Sequence, residues 1–218
     1  MRYQDILNSE EFQAYIKRID LIIKERSEIE HTMVHLKNTA EAAGEIIKFC
    51  ELPETYVDKA MAAGLLHGLG FAVSIERPAE YSAILSDRIL KTAGFSPEER
   101  VEIAAAIACN SEVSVCIPDE ITAALVLADH TDIRRNRVPQ KEIFGFNSRE
   151  KINYAVLASG LRFENEEKGL TLELKVDEYY CSPELYMKLF HDNMTLCRQA
   201  SKKLGLRFLL TINGNNIE

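Results

Sequence analysis

The sequence predicts a mainly α-helical domain followed by a small α+β unit, and three observations carry that expectation. Apolar residues recur at three- and four-residue spacings from the start of the chain to about residue 135. A polar stretch with proline and glycine, RRNRVPQKEIFGFNSRE, then interrupts the pattern between Arg134 and Glu150. Beyond it the period falls to two in LRFENEEKGLTLELKVD, before one more helical run and a last apolar segment, LRFLLTIN. The expected organisation is a helical domain over 1–135, a connector over 136–150 and a small α+β appendage over 151–218.

In the first part, helices are expected near 27–50, 54–67, 78–93, 97–109 and 119–135. The breaks between them make chemical sense. Pro53 stands at a helix start in CELPETY, Ser96 caps a helix with Pro97 in its first turn in AGFSPEER, and CIPDEIT repeats the device. In the second part, two antiparallel strands turn at Lys168-Gly169. A single long helix is then expected from Ser182, its cap, and Pro183, with Leu185, Leu189, Leu196, Ala200 and Leu204 as its apolar stripe. Gly205 ends that helix and a final strand follows. The strand edges leave room for a homodimer.

The totals bound the function classes. At 218 residues, 46% of them apolar, the chain can bury the core of one fairly large domain. A formal charge of -8 argues against a grip on long nucleic acid, but a small phosphorylated ligand or nucleotide needs only a local positive pocket. The five cysteines form no CxxC pair, the opening MRYQDILNSEEF is polar, and no apolar run approaches the roughly 20 residues of a membrane span. The expectation is a cytoplasmic protein with reduced thiols and no membrane partner.

The chemistry gathers around AAGLLHGLG, where a helix of small apolar residues delivers His67 and stops on glycine. His31 and His35 lie four apart, on one face of the preceding helix. In ALVLADHTDIRR, Asp129 follows an apolar run and Asp132 comes one turn later. Two imidazoles and a carboxylate from three helices suit a transition metal ion. A single histidine near a helix end also serves as a satisfied core or capping group, and spacing alone does not choose between the two.

The order of HLKNTAEAAGEII, AAGLLHGLG and LADHTD resembles the HD superfamily of metal-dependent phosphohydrolases over roughly residues 25–135. The resemblance implies an HD-type all-α fold and hydrolysis of a phosphate ester. It also implies one divalent transition metal, of unspecified identity, held by His35, His67 and Asp129. His35 matches the family's first histidine better than His31, because Thr39, Ala40 and Ala43 fall where the family has small and apolar residues. His31 and Asp132 are candidates for auxiliary ligands or for orienting water. Arg134, with Arg135 and Arg137, is a candidate for holding phosphate, although a solvated helix end favourable to the dipole is the simpler reading of these arginines.

The chain departs from the family's pattern at the pair itself: Gly68 stands where the family has the metal-binding aspartate. Ser82 and Asn110 occupy positions where many members place histidines for a second ion, and the lysine that often follows the pair is absent from GLGF. A catalytically degenerate binding or regulatory module is therefore the alternative. The literal His-Asp at His191-Asp192 lies late in the chain and reads as surface. His130 points about 100° away from Asp129 on a helix and is left outside the site.

Overall fold

A computed structural model of the chain describes residues 2–26, 32–110, 117–138 and 145–217. Seven helices come first: α1 (Arg2–Asn8), α2 (Glu10–Arg26), α3 (Met33–Phe49), α4 (Glu54–Leu66), α5 (Pro78–Thr92), α6 (Pro97–Cys109) and α7 (Glu120–Thr131). Short 3-10 turns at Leu69–Ala72 and Arg135–Arg137 follow α4 and α7. The rest comprises α8 (Ser148–Ala155), β1 (Val156–Glu164), β2 (Gly169–Val176), α9 (Pro183–Leu189), α10 (His191–Lys203), β3 (Arg207–Ile212) and β4 (Asn215–Asn216). The chain is thus mainly helical, as the periodicity predicts, with a small sheet of four strands where three were expected.

The first-part helices start where side chains or prolines start them. Ser96 and Glu99 form a reciprocal capping box on α6, with Pro97 behind the cap, and Asp119 rather than Pro118 caps α7 through Thr122 N. Helix α7 is buried on every side from Ile121 to Ala128, because α3, α4, α6 and α10 all pack against it. Helix α4 is enclosed in the same way from Ala60 to Leu66. A helix apolar all round has no solvent face, so whatever polar group it carries at its end is delivered into the interior. His67 and Asp129 sit at the ends of these two helices.

One apolar cluster runs through the chain, holding Leu36 and Leu125 together with Leu172 and Leu196. Strands β1 and β2 pair antiparallel, turning through Lys168 at φ 48°, and β3 lies parallel to β2. A parallel neighbour needs a crossover, and α9 and α10 supply it. The chain then turns at Asn213-Gly214, with φ of 52° and 82°, into β4. Asn-Gly with two positive φ values favours this tight hairpin, so the sequence carried a signal for the extra strand.

Two expectations are corrected. The single long helix after Ser182 is two helices, broken at Phe190 (φ -108°, ψ 12°). The stripe led by Leu185 and Leu189 faces outward. Tyr186 and Phe190, whose rings lie 5.2 Å apart, take the interior instead, followed by Met194, Leu196, Cys197 and Ala200. The larger rings bury more apolar area than the two leucines, and this decides which face turns inward. The end of the expected connector is helical as well: Asn147 and Glu150 form a second capping box at the start of α8.

Cys50, Cys181 and Cys197 are free thiols, and Cys116 lies outside the described residues. Among the described residues no helix is long and apolar enough to cross a membrane.

Candidate metal centre

Close packing of α3 on α4 brings the two histidines together. A Cβ at Gly64 would stand 2.6 Å from Ala40 Cα and 2.7 Å from Ala40 N, so only glycine lets the backbones approach this far. Gly70, three residues after His67, belongs to a second close approach. A Cβ at Gly70 would meet the Pro78 carbonyl, and the Ser82 hydroxyl bridges the turn, donating to His67 O at 2.6 Å and accepting from Gly70 N at 2.7 Å. Ser82, at a position where the resemblance allows a second-metal ligand, is therefore spent on fixing the end of α4.

His35, His67 and Asp129 converge. His35 Nε2 lies 3.2 Å from His67 Nε2 and 3.1 Å from Asp129 Oδ1, and His67 Nε2 lies 3.6 Å from the same oxygen. The outer nitrogens are occupied. His67 Nδ1 is 2.7 Å from the Gly64 carbonyl, which can only accept, so Nδ1 carries the hydrogen. His35 Nδ1 donates to Asp132 Oδ2 at 2.7 Å. With Nδ1 protonated on both rings, each neutral imidazole directs its Nε2 lone pair inward, toward a carboxylate oxygen. Three acceptors facing one another repel unless a cation joins them, either a proton on one ring or a metal ion.

The electrostatics keep His67 and Asp129 in ligating form. Burial pushes His67 down to about 4, against the pull of Asp129, so this ring is neutral at pH 7. Burial alone would raise Asp129, yet the attraction of His67 and the short contact with His35 hold it well below the usual carboxylate range. Asp132 is likewise opposed by burial, and is held down to about 2 by His35 and Arg134.

The donor set fits a metal ion. In a tetrahedral or octahedral shell with bonds of about 2.1 Å, neighbouring ligand atoms stand roughly 3.0–3.4 Å apart, close to the edges of this triangle. Asp129 Oδ1 is buried and accepts no well-formed hydrogen bond, as an oxygen kept for an ion would be. The His-His-Asp group can hold a divalent ion, and it is the one such cluster found among the described residues.

No model of a known protein family matches this chain, and no curated protein is significantly similar to it. The centre therefore stands on its own geometry.

The remaining predicted residues fall around this triangle. Asp132 lies behind His35, on the ring nitrogen away from the convergence point, so it orients and polarises His35 where direct ligation was one expectation. Arg134 grips both oxygens of Asp132, at 2.7 and 2.9 Å, which occupies much of the fork expected to hold phosphate. Arg135 is engaged by the Tyr154 carbonyl and Asp177, and buried Arg137 donates to the Asp132 carbonyl. His31 lies outside the described residues. His130 points away from the triangle and donates to the Asn110 carbonyl at 3.1 Å. His191 and Asp192 are exposed at the start of α10, as expected. A cleft of about 150 Å³ opens beside Asp132, between α3, α7 and β1.

Sequence reasoning missed the bond from Asn110 Nδ2 to Asp129 Oδ2, at 2.7 Å. The only signal for it was the placement of Asn110 at the end of α6, where a C-terminal side chain can reach a neighbouring helix.

Proposed function

We propose that this chain is a metal-dependent phosphohydrolase of the HD type, acting on a phosphate ester of a nucleotide or another small molecule. The observation that carries the reading is the convergence of His35 Nε2, His67 Nε2 and Asp129 Oδ1, from three helices, with both outer imidazole nitrogens already engaged. The order of the motifs along the chain supplies the reaction class, through the resemblance to the HD superfamily.

A divalent ion at this point supplies Lewis acidity, drawing charge from a phosphoryl oxygen and making water a better nucleophile at neutral pH. The chain's own residues supply the rest. Gly64 O and Asp132 fix the two imidazole tautomers, so neither ring rotates out of register. Asp132 also withdraws positive charge from His35 through the Nδ1 hydrogen, which strengthens Nε2 as a donor. Helices α4 and α7 keep the point dry on the core side, where electrostatic interactions are strongest.

Gly68 favours a second reading, a degenerate module that keeps the scaffold to bind a nucleotide or a protein partner without turnover. At this position the chain offers no side chain, and Ser82 is consumed within the fold. One experiment separates the readings: elemental analysis with a phosphatase and phosphodiesterase screen, wild type beside Gly68→Asp. Stoichiometric metal and turnover in the wild type support the hydrolase. Turnover in Gly68→Asp alone supports the module, and absence of metal and turnover from both proteins sinks the first reading.

A further inference from the structure

Asn110 closes the C-terminal end of α6 and is 5% exposed. It ties to two consecutive residues of α7: its side-chain Nδ2 donates to Asp129 Oδ2 at 2.7 Å, and its backbone carbonyl accepts from His130 Nε2 at 3.1 Å. The orientation of the amide is forced, because its oxygen at 2.7 Å from a carboxylate would repel. A carboxylate can face an ion through one oxygen or both, and rotation about Cβ–Cγ exchanges them. Here Oδ2 is engaged from α6, and Oδ1 alone reaches the two imidazole nitrogens. The amide is neutral, so it fixes the geometry and leaves the full negative charge on Asp129, where lysine or arginine would cancel it.

We propose that Asn110 is a positioning residue that holds Asp129 as a one-oxygen ligand for a divalent transition ion. The inference rests on the metal reading above and deepens it. The position where the resemblance allows a second-metal ligand instead sets the denticity of the first. Without the donor, Oδ2 is free to compete for the ion, so the shell changes and binding weakens. Donors that hold a metal-binding carboxylate from behind in this way are worth about 10–100-fold in metal affinity.

The test uses cobalt(II) as the probe. Metal-stripped wild type, Asn110→Ala and Asn110→Leu, which is of similar size but neither donates nor carries charge, are titrated with cobalt chloride. Affinity is read by calorimetry, shell geometry by visible absorption, and folding by circular dichroism. The wild type is expected to bind one equivalent, and both variants to bind about 10–100-fold more weakly with an altered cobalt spectrum. Isotope-edited infrared difference spectra of the wild type, with labelled aspartate, serve as a check that depends on no variant. A wide gap between the two carboxylate stretches on loading marks one-oxygen ligation; a narrow gap marks two-oxygen ligation and overturns the inference. Variants that keep wild-type affinity and spectrum overturn it too, and leave the metal reading standing. A wild type that takes up no cobalt overturns both.

Discussion

Gly64→Ala tests how the histidines are brought together. The added Cβ would stand 2.6 Å from Ala40 Cα, 2.7 Å from Ala40 N and 3.0 Å from Thr39 C, all of them backbone atoms of α3. Ordinary contact begins at 3.4 Å, so α3 and α4 must part by about 0.8 Å. Overpacking of this kind costs about 1–3 kcal/mol, and backbone atoms that cannot swing aside put it at the upper end. Alanine returns about 1 kcal/mol through its better helix propensity, which leaves a net loss of about 2 kcal/mol. For a chain of this length that lowers the melting temperature by about 4–8 °C. The parting also carries His35 away from His67, stretching the 3.2 Å separation of their Nε2 atoms toward about 4.0 Å. Two nitrogens bonded at about 2.1 Å to one ion stand that far apart only if the angle at the ion opens beyond about 140°. Metal affinity should therefore fall by at least about tenfold, as misplacement of ligands does elsewhere. Thermal melts with and without chelator, together with a metal titration, read both effects. A variant that melts with the wild type and binds metal equally would show that α3 and α4 do not meet as described.

Two further outcomes follow from other parts of the fold. Asp132→Asn keeps an acceptor for His35 Nδ1 but removes its charge, so metal affinity should drop by about 10–100-fold in a competition titration; equal affinity would detach Asp132 from the centre. In the second half of the chain, burial pushes the Cys197 thiol up to about 12 and raises Tyr186 in the same direction. The unfolded chain then gives up protons that the folded chain retains. The stability these groups contribute is complete below about pH 8.5 and falls by roughly 1.4 kcal/mol per group for each pH unit above its unfolded value. Urea unfolding at pH 8 and pH 10 should show the loss, reduced in Cys197→Ala; a flat profile would refute the burial of that thiol.

The helices were legible because their apolar periods and stop signals agreed, as at Ser96-Pro97, where the cap and the first turn are local chemistry. The His-His-Asp cluster was legible for a different reason: spacing left a core or capping role open, and the order of the three short motifs, through the resemblance they carry, singled out His35, His67 and Asp129. What could not be read was decided by competition between distant groups. Leu185 and Leu189 make a plausible helical stripe, but Tyr186 and Phe190 bury more area once the sheet is in place. Asp132 looked like a ligand because it lies one turn from Asp129. Its side chain instead reaches the far nitrogen of His35, a choice set by Arg134 and Arg137 crowding in from the next turn. The capping box at Asn147 and the Asn-Gly turn were local signals, and both were there to be found.

The absence of a carboxylate at position 68 has two opposed effects, and together they sharpen the Gly68→Asp experiment. A ligating imidazole is neutral, so Asp129 alone offsets one of the two charges on a divalent ion. Asp132 adds negative charge only indirectly, and Arg134 largely neutralises it. A loaded centre thus keeps an excess of positive charge in a buried setting, where the effective dielectric is far below that of water. That excess weakens the hold on the ion and, for the same reason, strengthens the attraction for an anionic phosphate. Introducing aspartate at 68 should move the two in opposite directions, slowing metal loss to a chelator while raising the concentration of phosphate ester needed for half-saturation. A change that tightened both, or neither, would mean that charge balance does not govern this site and that the carboxylate at 68 acts by shape alone.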